Sequence, residues 1–439
     1  MRTRTRTIVT MGGAAAVVAA IAVAALAATS SSAAPAAGLA DTPGSGQSVI
    51  DWNRQLISIL GTPNAQPAAV HPTRSFAMLQ AAEYDAVASI THAAPPYRSS
   101  VPAAGDARPD AAADQAAHDV LVSLYPTMRA GLDTQLNGEL AGMPDGQAKQ
   151  DGVGVGMAAA RQLIALRSSD GSSAAAAPFV AGTGPGDYRP TPPKFPAPMY
   201  TGWGSVTPFL LDNAQQFRPA PPPPVSSAAY ATALNEVKNL GRDSSSTRTK
   251  DETVAGKFWS ATPVWNTWNQ VAQQLVAEHR ASLAQATGVF SALDLSLADT
   301  TIAMYDTKYQ DHVWRPVSAI RLGGSARNPG IVGDPTWNPL TPTAADPSYP
   351  GAHSALSGAA ATALTAFYGS HQPVTITSAA DPGVTRSFAT LSDAAEEAGL
   401  SRIWAGQHTR VDHQAGQQLG SQVAGWVLGD LSVRQYTGG

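Results

Sequence analysis

SFAMLQAAEYDAVASITH, residues 75–92, lies between Pro72 and Pro95, and its apolar groups recur at helical spacing. The neighbouring stretches repeat the pattern. Helical signals begin near Val49, and residues 111–125, 127–142 and 147–168 read as three more helices without the period-two alternation of an amphipathic strand. Beyond residue 226 the spacing predicts helices over 227–241, 249–258, 263–286 and 288–307, the last with Phe290, Leu293 and Leu297 as an apolar stripe. Further helices are expected at 353–368, 385–400 and 409–432. No internal repeat or convincing sheet interrupts the series. The expected fold class is all-α, a helical bundle or pair of bundles.

The chain has 439 residues, 44% of them hydrophobic and 14% charged, enough for a large core and two lobes. A net charge of −4 gives no reason to expect nucleic-acid binding. The absence of cysteine rules out disulfides, thiolate metal sites and a cysteine nucleophile. Residues 1–28 read as an export signal: Arg2, Arg4 and Arg6, then an apolar stretch from Ile8 to Ala28, with Ala25-Leu26-Ala27 at cleavage spacing. The expectation is a secreted protein without stable membrane association after cleavage; an uncleaved anchor is the competing reading. Residues 29–46 form a flexible leader and 47–168 an N-terminal helical lobe. Residues 169–225 are a Pro/Gly-rich connection carrying GTGPGDYRPTPPKFPAP and RPAPPPPV, and 226–439 are a C-terminal helical lobe. Trp203, Pro208 and Phe209 suggest that part of the connection docks on the core.

Three segments of the last third carry the candidate chemistry. In Lys308-Tyr309-Gln310-Asp311-His312-Val313-Trp314-Arg315-Pro316, the two cations are seven apart, and a helix would place them on one face. They ask for an anionic partner, although a solvated basic face would look the same. In Tyr349-Pro350-Gly351-Ala352-His353-Ser354, small residues at a helix start leave backbone N–H groups free for an anion, and His353 is placed to deliver a proton. An ordinary turn and cap is the alternative. In the stretch from Ser401 to Asp412, Arg402 offers a bidentate fork and His408 a nucleophilic or metal-ligating nitrogen. Asp412, one helical turn beyond, is placed to fix the His408 tautomer. His71, His92, His118, His279 and His371 show no ligand pairing; His312 reads as a surface residue, and His413 as facing away from His408.

Taken in order, K-x6-RP, P-x-x-H and SR-x5-H resemble the signature of the phosphatidic acid phosphatase type 2 and vanadium haloperoxidase superfamily. Residues 76–90, 111–168, 203–218 and 247–259 are similar to the helical scaffold of its soluble, secreted bacterial haloperoxidase branch. The resemblance implies that Lys308, Arg315 and Arg402 bind the oxygens of vanadate or phosphate, with backbone donors at Gly351 and Ala352. It implies His353 as acid/base, His408 as axial vanadium ligand or phosphorus nucleophile, and Asp412 as the residue orienting His408. As a haloperoxidase the protein would hold vanadate, with Lys308 polarising bound peroxide, and act on hydrogen peroxide and halide. As an acid phosphatase it would need no cofactor and would hydrolyse phosphate esters through a phosphohistidine. A non-enzymatic oxyanion-binding protein would need only the cations. The family's usual Pro-Ser-Gly-His is here Pro350-Gly351-Ala352-His353, so a serine hydroxyl is missing, a loss on the order of 1.5–3 kcal/mol if nothing replaces it. Seven residues before His353, where the family carries an aromatic or histidine near the halide, stands Asp346, whose carboxylate would repel halide.

Overall fold

Residues 45–174, 178–378 and 380–437 are described by the structure, a computed structural model. The expected export signal and nearly all of the leader lie outside them. Thirteen α-helices are described: α1 (Gln47–Gly61), α2 (Pro72–Thr91), α3 (Pro109–Leu124), α4 (Arg129–Ala141), α5 (Gln147–Arg167), α6 (Ala228–Leu240), α7 (Lys250–Ala261), α8 (Val264–Glu278), α9 (Leu283–Asp311), α10 (Pro316–Arg321), α11 (Ala352–Tyr368), α12 (Leu391–Trp404) and α13 (Arg410–Thr437). Two strands, β1 (Val374–Thr377) and β2 (Thr385–Phe388), form an antiparallel pair. The all-α expectation holds.

Two boundaries differ from the sequence reading. The helix expected over 263–286 is two helices, because Ser282 and Gln285 form a capping box that starts α9 afresh. Arg280, at φ 48°, turns the chain between them. The helix expected over 385–400 begins only at Leu391, where Thr390 accepts from the Asp393 N–H. Residues 385–388 instead pair as a strand with Val374-Thr375-Ile376-Thr377, a β-branched run that buries Val374 and Ile376 on one face.

Helix α9 is buried around most of its circumference, as a central helix must be when packed on all sides. It lies against α2, α11 and α13. One apolar core joins Ala81, Val120, Leu163, Phe209, Leu295 and Leu419, so residues on both sides of the Pro/Gly-rich connection share it. Helices α11 and α13 cross very closely. A Cβ on Gly420 would stand 1.9 Å from the Ala355 carbonyl oxygen, and one on Gly416 2.5 Å from that of Gly351. This contact brings the segments bearing His353 and His408 together.

The connection docks through buried charge as well as apolar groups. Trp203 and Phe209 are buried, and the Asp299 carboxylate on α9 accepts from the backbone N–H groups of Phe209, Leu210 and Leu211 at 2.6–2.9 Å. The Arg167 guanidinium stacks 3.8 Å from the centroid of the Phe209 ring. Farther along, the Tyr188 N–H donates to the His312 carbonyl, the Trp314 N–H to that of Gly186, and the Met199 N–H to that of Ala345.

Candidate active site

Lys308 sits in the last turn of α9, fully buried. The helix ends four residues later, where His312 takes the left-handed conformation at φ 50°. Pro316 disfavours helix at the residue before it, so Arg315 caps α10 with extended backbone. The single-face expectation for Lys308 and Arg315 is therefore corrected: they come from two elements, brought together by the turn at His312. Arg402 closes α12, and Gly406, at φ 79°, turns the chain toward His408. A side chain at Gly406 would be strained in that conformation and would meet the Gly241 carbonyl at 2.6 Å.

These elements converge. Arg315 Nη1 lies 3.1 Å from His408 Nε2 and also donates to the Gln407 carbonyl. Because a guanidinium only donates, His408 Nε2 presents its lone pair, and Nδ1 carries the proton. On the Nδ1 side lie Ser348 Oγ at 3.4 Å and Asp412 Oδ2 at 3.5 Å. Ser348 in turn donates to Asp412 Oδ2 at 2.7 Å, and the same oxygen accepts from the Thr409 N–H at the start of α13. Ser348 and Asp412 thus face the same ring nitrogen of His408 together.

Lys308 Nζ donates to the carbonyls of Pro347 and Ser348. Arg402 Nη1 donates to Ser260 Oγ, whereas Arg402 Nε is buried with no partner. His353 Nε2 donates to the Trp259 carbonyl at 2.9 Å, which leaves Nδ1 as the proton acceptor. The Gly351 N–H donates to the Asp412 carbonyl at 2.9 Å. That corrects the expectation of an anion donor at Gly351: its N–H ties α11 to α13. The Ala352 N–H, in the first helical turn, has no preceding-turn carbonyl to bond.

Burial and neighbouring cations shape the charges. Burial, then Arg315, pushes His408 down to about 3, and burial followed by Arg402 holds His353 well below the usual imidazole range. Both rings are neutral at physiological pH. Burial lowers Lys308 to about 8 and Arg402 to about 9. Asp346 is also buried; burial would raise it, but Lys308 and Arg315 together hold it at about 2. Its Oδ1 pairs with Arg315 Nη2 and stands 3.8 Å from Lys308 Nζ, while Tyr305 donates to Oδ2.

Sequence reasoning missed Ser348, Ser260, Trp259 and Tyr305. Ser348 stands two residues after the singled-out Asp346, but nothing in its spacing marks a bridge to Asp412. Trp259 acts through its carbonyl, which no side-chain pattern reveals. His413 does face away from His408: its Nδ1 lies 3.0 Å from Ser354 Oγ and its Nε2 3.2 Å from Glu396.

Three buried cations in the neighbourhood of His408, one of them on its Nε2 lone pair, suit a tetrahedral oxyanion better than a bare metal cation, and the unpartnered Arg402 Nε supplies a donor that such a group would satisfy. Vanadate, the group implied by the resemblance, fits this donor set.

The fold is that of the vanadium haloperoxidase superfamily, and residues 288–435 match the VCPO second helical-bundle domain. A bacterial vanadium-dependent iodoperoxidase superposes with a TM-score of 0.77 at 22% identity, over 88% of this chain and 96% of that one. A holo-type bacterial vanadium-dependent chloroperoxidase gives 0.69 at 15% identity, over 90% and 98%. The apo-type chloroperoxidase gives 0.64 at 14% identity, over 84% and 95%. No curated protein matches at the sequence level.

Proposed function

We propose that this protein is a vanadium-dependent haloperoxidase-type enzyme that oxidises halide with hydrogen peroxide. The observation that carries the reading is the gathering of buried Lys308, Arg315 and Arg402 with His353 and His408, Arg315 facing the His408 lone pair. His408 would hold vanadate through Nε2, and the three cations with the Ala352 N–H would hold its oxygens. Bound vanadate would supply the Lewis acidity that activates peroxide. Within the site, Ser348 and Asp412 keep the His408 proton on Nδ1, so Nε2 keeps the lone pair, faced here by Arg315, that would ligate. His353, neutral and fixed through Nε2, takes or returns a proton at Nδ1. Lys308, dry and held by two carbonyls, stabilises charge that develops on a neighbouring oxygen. The N-terminal segment is read as directing export, which the mass of protein recovered from culture medium would check.

A second reading is an acid phosphatase, in which His408 attacks phosphorus and His353 protonates the leaving oxygen. Gly351, standing where the family's serine hydroxyl would help hold vanadate, favours it.

The deciding assay adds orthovanadate to the purified protein and follows dye bromination or iodination with peroxide. Hydrolysis of p-nitrophenyl phosphate by the vanadate-free protein runs beside it. Vanadate-dependent halogenation that disappears in His408→Ala supports the first reading. Phosphate release inhibited by vanadate, without halogenation, replaces it with the second.

A further inference from the structure

Resting on the oxyanion reading above, we infer that Asp346 is a specificity-determining residue, a built-in counter-anion that weakens the cation grip and favours oxyanions of low charge. The case is geometric. Asp346 is almost fully buried and is held from three sides: Arg315 Nη2 on Oδ1, Tyr305 on Oδ2, and Arg315 Nε on its own backbone carbonyl at 2.7 Å. Lys308 Nζ stands 3.8 Å from the same carboxylate.

The donor inventory shows what this leaves for a ligand. Of the five N–H groups of a guanidinium, Arg315 directs one to the Asp346 carbonyl, two to the Gln407 carbonyl and His408, and one to the Asp346 carboxylate. One remains. Lys308 has two of its three donors on the Pro347 and Ser348 carbonyls, so one remains there also. Arg402 alone keeps its Nε unengaged. An entering anion therefore meets two cations that already share a carboxylate and one that does not. Each further negative charge on the ligand adds repulsion from Asp346 across a dry space, where charges are poorly screened. Asp346 also sets the direction of the Arg315 fork, so it shapes the grip as well as weakening it.

The test is calorimetric titration of the full chain with inorganic phosphate and, separately, with orthovanadate. Asp346→Asn keeps an oxygen for Arg315 and removes the charge. It is expected to bind both anions about tenfold more tightly than the unaltered protein. Adding Arg402→Ala to that variant should abolish the gain, which localises it to this site. Affinity that is unchanged or weaker in a cooperatively melting Asp346→Asn overturns the inference and leaves the oxyanion reading standing. Binding of neither anion by either protein overturns both. Should the variant not fold, the unaltered protein decides: the inference requires a phosphate dissociation constant weaker than about 0.1 mM at about 0.15 M salt, and micromolar binding overturns it.

Discussion

His408 has its two ring nitrogens in opposite surroundings: a guanidinium faces Nε2, and a hydroxyl and carboxylate face Nδ1. Ser348 supplies that hydroxyl and also donates to the Asp412 carboxylate. Ser348→Ala is expected to lower kcat roughly 10–100-fold with a smaller change in KM, measured as vanadate-dependent halide oxidation. An unchanged kcat would show that Asp412 orients the ring unaided. The candidate residues were legible in the sequence because they are charged or titratable and sit in a spaced pattern. The structure brings Lys308, Arg315, Arg402, His353 and His408 into one buried region. Gly351 was misread because a backbone N–H has no sequence signature; only the close approach of α13 shows that the Asp412 carbonyl takes it.

At the scale of elements, the α11–α13 crossing sets the distance between His353 and His408. Gly420→Ala would drive a methyl group into the Ala355 carbonyl and push the helices apart. We expect a loss of about 2 kcal/mol or more in chemical denaturation, and a larger proportional loss of activity than of fold. A variant as stable and active as the parent would mean that the helices separate freely. Asp299→Ala would strand three buried N–H groups of the connection, at about 3 kcal/mol or more in the same measurement. Helix positions were legible wherever apolar period and proline punctuation agreed, as over Pro72–Thr91. They failed where a cap or a β-branched run decided, at Ser282 and at residues 385–388, because such local choices change chain direction without changing composition.

For the whole molecule, buried ionisable groups set two opposing pH limbs. Burial raises Asp114 to about 7 and Asp294 to about 8. Carboxyls whose folded values lie above their unfolded ones contribute stability that is complete below about pH 4 and is lost as pH rises toward those values. Burial instead lowers His71 and His408 to about 3, so their contribution is present above about pH 6.5 and is lost as pH falls. The melting temperature is therefore expected to peak between about pH 4 and 6.5 and to fall toward pH 8. Asp294→Asn should flatten the alkaline fall, and a melting temperature that climbs steadily from pH 5 to 8 in the parent would contradict the assignment. No helix among the described residues is long and apolar enough to cross a membrane. The connection over 169–225 was expected from its Trp203, Pro208 and Phe209 to dock in part on the core, and its backbone bonds to Ala345, His312 and Trp314 also stitch it across the loops that carry Arg315 and Asp346. Chain segments more than a hundred residues apart must therefore meet before the candidate site exists. Such high contact order makes the centre a late product of folding, assembled after local helices have formed, and a newly made C-terminal half would remain inactive until the earlier chain has closed over it.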